Sequence, residues 1–127
     1  IFVIGSNGDL AFPAACEEKA LQQGLRTDNL VISGSQTAPI ALTPAAVHHE
    51  KVPGGRTYTV STFRDPAGCP IGQQTIIDGM PHDWPGGTTD PTYKGYTDPT
   101  APSGAKIAWA FFRHFTLSST AMPCASH

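Results

Sequence analysis

Two short loops carry the side chains in this chain best suited to moving a proton. One, Gly79-Met80-Pro81-His82-Asp83-Trp84-Pro85-Gly86-Gly87, sets a single histidine between two prolines. Imidazole takes up and returns a proton near neutrality, and the flanking prolines restrict the backbone so that the ring is held in one orientation. The other, Gly5-Ser6-Asn7-Gly8-Asp9, delivers a carboxylate directly after a tight turn. A carboxylate bonded to an imidazole fixes its tautomer and stabilises the imidazolium, so His82 and Asp9 together could act as base and acid for a nucleophile. The competing reading of His82 is an ordinary solvated or packed loop residue.

Other groups are weaker candidates. His48-His49-Glu50 invites a metal reading, but adjacent residues on an extended segment point to opposite faces and no third ligand is near in sequence, so no metal site is expected. Cys16, Cys69 and Cys124 lie far apart, without the paired spacing of a zinc site. One disulfide with one spare thiol would suit a secreted protein, whereas three unpaired thiols would suit a cytosolic one. Trp84, Tyr93 and Tyr96 stand near the histidine loop and could line a substrate cleft, with ordinary loop packing as the alternative.

The elements that position these loops follow from the hydrophobic pattern. Ile1 to Ile4 is an unbroken apolar run, expected as a buried parallel strand that ends at Gly5. Pro13 can open a helix over Ala14 to Gln23, which Gly24 is expected to stop. Arg26 to Arg56, interrupted by prolines and glycines, reads mostly as loop with at most one short strand. Thr57 to Phe63 alternates and is rich in β-branched residues, so it reads as a strand, turned by Asp65-Pro66-Ala67-Gly68 into a second strand ending at Ile77. Two Asp-Pro-Thr triplets within Thr88 to Ser103 predict an irregular surface flap. Ser103 can cap a last helix, Gly104 to Phe115, whose stripe of Ile107, Ala108, Phe111, Phe112 and Phe115 is expected to face the core while Arg113 and His114 face water. If Asp9 and His82 work together, both loops must leave one edge of the sheet, and Ile1–Ile4 and Ile71–Ile77 are expected as neighbouring parallel strands.

A length of 127 residues with 39% apolar content fits one domain with a real core. A net charge of −2 offers no electrostatic footprint for nucleic acid, and no apolar run approaches the roughly 20 residues of a membrane helix, so neither partner is expected. The chain opens on Ile1-Phe2-Val3-Ile4, a strand already under way, and is expected to be the C-terminal piece of a longer polypeptide.

In α/β-hydrolases the triad runs in the order nucleophile, acid, histidine, and Asp9 followed well downstream by His82 matches the last two. The chain resembles the C-terminal part of the secreted polyhydroxybutyrate depolymerase and feruloyl esterase-like α/β-hydrolases. The histidine loop, Gly79 to Gly87, is similar to that family's G-x-x-H-x-W-P-G. Ala108-Trp109-Ala110-Phe111-Phe112-Arg113-His114-Phe115 is similar to its closing W-x-F-F-x-x-H helix, and Phe2 to Pro13 to its acid loop. Two departures fall in the acid loop: Ile4 rather than histidine precedes Gly5, and one extra residue separates Gly5 from Asp9.

The resemblance implies the C-terminal portion of an α/β-hydrolase fold, parallel strands with flanking helices, with residues 1–127 closing one catalytic domain. It implies a secreted serine esterase acting on polyhydroxyalkanoate, feruloyl or acetyl polysaccharide, or a smaller ester, with Asp9 and His82 as acid and base and no cofactor. No Gly-x-Ser-x-Gly occurs here, since Ser6 lies in Ile4-Gly5-Ser6-Asn7-Gly8 and Ser33 and Ser35 merely flank Gly34. The nucleophile is therefore expected on a missing N-terminal part, the partner of this chain besides its ester substrate. The alternative function is a non-catalytic secreted binding module that uses the same loops.

Overall fold

The opening apolar run forms β1 (Phe2–Ser6), and the computed structural model, which describes residues 1–115, pairs it in parallel with β4 (Pro70–Ile77). The register runs from Phe2 opposite Gln73 to Ser6 opposite Ile77, so the acid and histidine loops leave the same edge of the sheet. β4 returns antiparallel from β3 (Thr57–Arg64) through a turn in which Gly68 takes a φ of 86° and Asp65 Oδ1 accepts the Cys69 N–H at 2.8 Å. On its other side β3 pairs antiparallel with β2 (Ala46–Lys51), which gives the order β1-β4-β3-β2.

This is a small mixed sheet, with two of its three pairings antiparallel, and not the parallel-strand portion of an α/β-hydrolase that the sequence suggested. Loop length is the physical reason. Residues 65–69 and 52–56 are too short for a parallel crossover, which needs a dozen residues or more, so both connections must be hairpins. Only the long excursion from β1 to β4 leaves room for a parallel pair.

Helix α1 (Ala14–Ser33) runs well past the expected stop at Gly24. Gly24 is there for contact: a Cβ at this position would lie 2.5 Å from Ile1 Cδ1, so the missing side chain lets the helix approach the start of the chain. The helix ends instead at Gly34, in the left-handed region with φ 73°, whose N–H bonds the Leu30 carbonyl at 2.9 Å. Leu21 and Leu25 of α1 are fully buried with Ile40 and Phe63. Each leucine withdrawn from water contributes on the order of 2 kcal/mol. Asn29, also buried, donates to the Ile40 carbonyl at 2.9 Å and accepts the Ile40 N–H at 2.7 Å, which pins the irregular segment after α1 to the helix.

The other sheet face holds a second cluster of Ile77, Met80 and Ala101, joined by Ile4 and Tyr58. There α2 (Gly104–Phe112) packs by placing Phe111 and Phe112 each 5.7 Å from the Phe2 ring. Ser103 caps it by accepting the Lys106 N–H, as expected, but the helix ends at Phe112 and only Phe111 of the stripe is fully buried. Phe112 is 52% exposed and Trp109 71%, and β1's outer edge pairs with no strand among the described residues.

The flap contains more order than its prolines suggest: a 3₁₀ turn at Pro91–Tyr93, and a short strand β6 (Thr97–Asp98) that pairs in parallel with β5 (Trp84–Pro85) of the histidine loop. It is fastened to the sheet where Arg56 Nε meets Asp98 Oδ2 at 2.6 Å. The Arg56 backbone N–H also donates to the Thr100 carbonyl at 2.9 Å. Cys16 is a free, exposed thiol, and the expectation for Cys124 lies outside the described residues. Among the described residues no helix is long and apolar enough to cross a membrane.

Candidate acid–base site

The two loops are laced together by short polar side chains before either functional residue is reached. Ser6 Oγ donates to the Met80 carbonyl at 2.6 Å and accepts the Gly8 N–H at 3.0 Å. Asn7 accepts the Gly79 N–H at 2.7 Å and donates to Asp78 Oδ1 at 2.8 Å. Gly8 meets Gly79 backbone to backbone, since a Cβ on Gly8 would fall 2.6 Å from the Gly79 carbonyl carbon. Ser6-Asn7-Gly8 and Asp78-Gly79-Met80 thus zip into one platform, and the residues just beyond them, Asp9 and His82, are brought face to face.

His82 Nδ1–H donates to Asp9 Oδ2 at 2.7 Å. The other carboxylate oxygen, Oδ1, accepts the Ala11 and Phe12 N–H groups, each at 2.8 Å. The Phe12 amide, then the His82 bond, hold the Asp9 carboxyl below the usual carboxylate value; burial opposes them by less than either, and the Ala11 amide adds a further lowering. An ionised Asp9 that accepts the Nδ1 proton selects, for the neutral ring of His82, the tautomer with its lone pair on Nε2, the form a general base requires. The imidazole also stacks on Phe12, with ring centroids 5.8 Å apart and planes inclined by 22°. With 65% of its side chain exposed against 10% for Asp9, His82 is held at the surface by a carboxylate sunk below it.

Beside the ring opens a cleft of about 340 Å³. Phe12, Met80, Trp84 and Pro85 supply its apolar wall, and Asp9, Glu17, His82 and Asp83 its ionisable groups. None of the described residues that line it is a serine, threonine or cysteine. Trp84 is therefore in the cleft, half-exposed, and its backbone N–H donates to the Tyr96 carbonyl at 2.8 Å. Tyr93 and Tyr96 are exposed on the flap and lie outside the cleft lining.

Two lining residues escaped the sequence reading. Phe12 gave no signal beyond its place in the acid loop, and Glu17 reads from sequence only as an acid in the first turns of a helix. His48 and His49 lie on β2 opposite Val60 and Thr59, and His49 pairs with the Thr59 hydroxyl at 3.0 Å. Among the described residues no group of three or more His, Cys, Asp or Glu is placed to hold a metal ion. A separate groove of about 380 Å³ runs along α1 by Gln22, Gln23 and Arg26, and contains no acid–base pair. No family model matches this sequence, and no curated protein matches it.

Proposed function

We propose that the Asp9–His82 pair is the acid–base half of a serine-type carboxylic-ester hydrolase, and that the nucleophile is carried by chain outside these 127 residues. The 2.7 Å bond from His82 Nδ1 to Asp9 supports this reading more than any other observation, because it ties the Nδ1 proton to the carboxylate, so that the lone pair of the neutral ring falls on Nε2. In the reaction, Nε2 takes the serine hydroxyl proton as its oxygen attacks the ester carbonyl, and returns it to the departing alcohol oxygen. Water then attacks the acyl-enzyme by the same route, releasing the acid and restoring the serine. Asp9 keeps the ring in the working tautomer throughout and stabilises the imidazolium in each half. The apolar wall of Phe12, Met80 and Trp84 suits the hydrocarbon part of an ester, and no step calls for a cofactor.

That no serine, threonine or cysteine lines the cleft among the described residues favours one rival, a secreted binding module in which the same loops hold a ligand without turnover. Labelling the full-length polypeptide with a fluorophosphonate probe and mapping the adduct by mass spectrometry separates the two. A label on a serine outside residues 1–127, lost in His82→Ala, supports the hydrolase. The absence of any labelled serine supports the binding module.

A further inference from the structure

Of the two ionisable groups in the cleft that the proposed chemistry does not use, Glu17 and Asp83, Glu17 is the one with a buried oxygen that has no partner among the described residues. It reaches from α1 across the end of β1 and lays its carboxyl over Gly5, where a Cβ would lie only 1.4 Å from Oε1 and 2.2 Å from Oε2. Oε2 is buried and bonded to nothing among the described residues. The groups around it are the Ser6 N–H from β1, Asp9 from the acid loop, and His82 and Asp83 from the histidine loop, which share the cleft.

We propose that Glu17 is a positioning residue for the Asp9–His82 pair: it holds a proton beside Asp9, so that the carboxylate bonded to the imidazole has no second charge from α1 set against it. This rests on the acid–base reading of the same site. Two carboxyls confined to one partly desolvated cleft cannot both ionise freely, and their environments differ in the way that decides which one keeps the proton. Asp9 has three donors, two amides and the imidazole, all of which favour its anion. Glu17 has a buried oxygen without a partner, which favours its acid. Burial first, and the Asp9 charge second, push the Glu17 carboxyl up from its ordinary value, only partly opposed by the Ser6 amide. When Glu17 does ionise, its negative charge is added to the cleft that His82 lines, which favours the imidazolium and resists the return of its proton.

The test is a carboxyl-carbon NMR titration of the protein with ¹³C-labelled glutamate, in which the Glu17 signal is the one that Glu17→Gln removes. Glu17 should titrate above the range of a solvent-exposed glutamate, and its midpoint should fall by about half a pH unit in Asp9→Asn, which deletes the neighbouring charge. Gly5→Ala should bring it toward the ordinary value as well. The new methyl there meets only the end of the flexible Glu17 side chain, so the carboxyl can swing away while the strand stays in place. An ordinary glutamate midpoint in the unmodified protein overturns the proposal whether or not the variants fold. So does a raised midpoint that Asp9→Asn leaves unmoved, since a merely structural carboxyl would behave that way. The titration involves no ester, so its failure is distinct from a failure of the fluorophosphonate experiment.

Discussion

Gly8→Ala perturbs the site without touching either functional side chain. Gly8 does not occupy the left-handed region, so alanine is conformationally acceptable and only the space is at issue. Its methyl carbon would stand 2.6 Å from the Gly79 carbonyl carbon and 2.7 Å from Gly79 Cα. Ordinary contact begins at 3.4 Å, so the two loops must part by about 0.8 Å, and both neighbours are backbone atoms that cannot rotate aside. Carried to the adjacent residues, that displacement stretches the 2.7 Å bond from His82 to Asp9 to about 3.5 Å, beyond the range of a sound N–H···O bond. Overpacking of this size costs about 1–3 kcal/mol, so the variant should still fold. The assay is proton NMR of the His82 Nδ1–H, which a short bond to a carboxylate shifts downfield and shields from exchange. Gly8→Ala should abolish that signal while the amide spectrum stays native-like. A signal that persists unchanged would refute the argument that the Gly8–Gly79 contact sets the spacing of the pair.

In the assembled enzyme, Asp9→Asn should keep the loop but favour the wrong tautomer, with a loss in kcat of about 10⁴-fold, while Asp83→Asn, beside the histidine and not bonded to it, should cost far less. Asp98→Asn should lower the melting temperature by about 4 °C, the effect of about 1 kcal/mol in a domain of this size, because it weakens the bond that fastens the flap to Arg56. Burial pushes the Asp98 carboxyl up, but hydrogen bonds from Thr100 and Arg56 outweigh it and hold it below the ordinary aspartate value. The stabilisation is therefore complete above that ordinary value and lost as pH falls through the depressed one, so melting curves of the two proteins should converge in acid. The exposed Trp109 and Phe112, with the edge of β1 that no strand among the described residues covers, should make the isolated chain self-associate. Sedimentation velocity should show the association reduced in a Trp109→Ser, Phe112→Ser double variant.

The site was more legible in the sequence than the fold was. Glycine, proline and short polar residues mark Gly5–Asp9 and Gly79–Gly87 as built turns, and turn chemistry is local. The strands at Thr57 and Ile71 were legible for the same reason, since alternation and a four-residue turn make a hairpin without reference to the rest of the chain. Sheet architecture is not local. An apolar run such as Ile1–Ile4 is compatible with either kind of sheet, and the antiparallel pairings of β3 with β4 and with β2 make this one mixed. β2 itself was hidden because Ala46–Lys51 is an exposed edge with charged and imidazole side chains in place of an apolar face. Gly24 misled because a glycine at a helix stop and a glycine at a close helix contact look alike in sequence. Only Ile1, distant in the chain and touching in space, tells them apart. Glu17 was invisible as part of the site for a related reason, because its role depends on the absence of a side chain at Gly5 on a different element.

The most direct test of the central claim is steady-state hydrolysis of a p-nitrophenyl ester by the full-length polypeptide, comparing the unmodified protein with His82→Ala. If His82 is the general base, kcat should fall by about 10⁴- to 10⁶-fold while KM and the melting temperature change little, because the exposed ring adds little packing. Turnover that survives His82→Ala within tenfold would contradict the assignment of the Asp9–His82 pair to the chemistry.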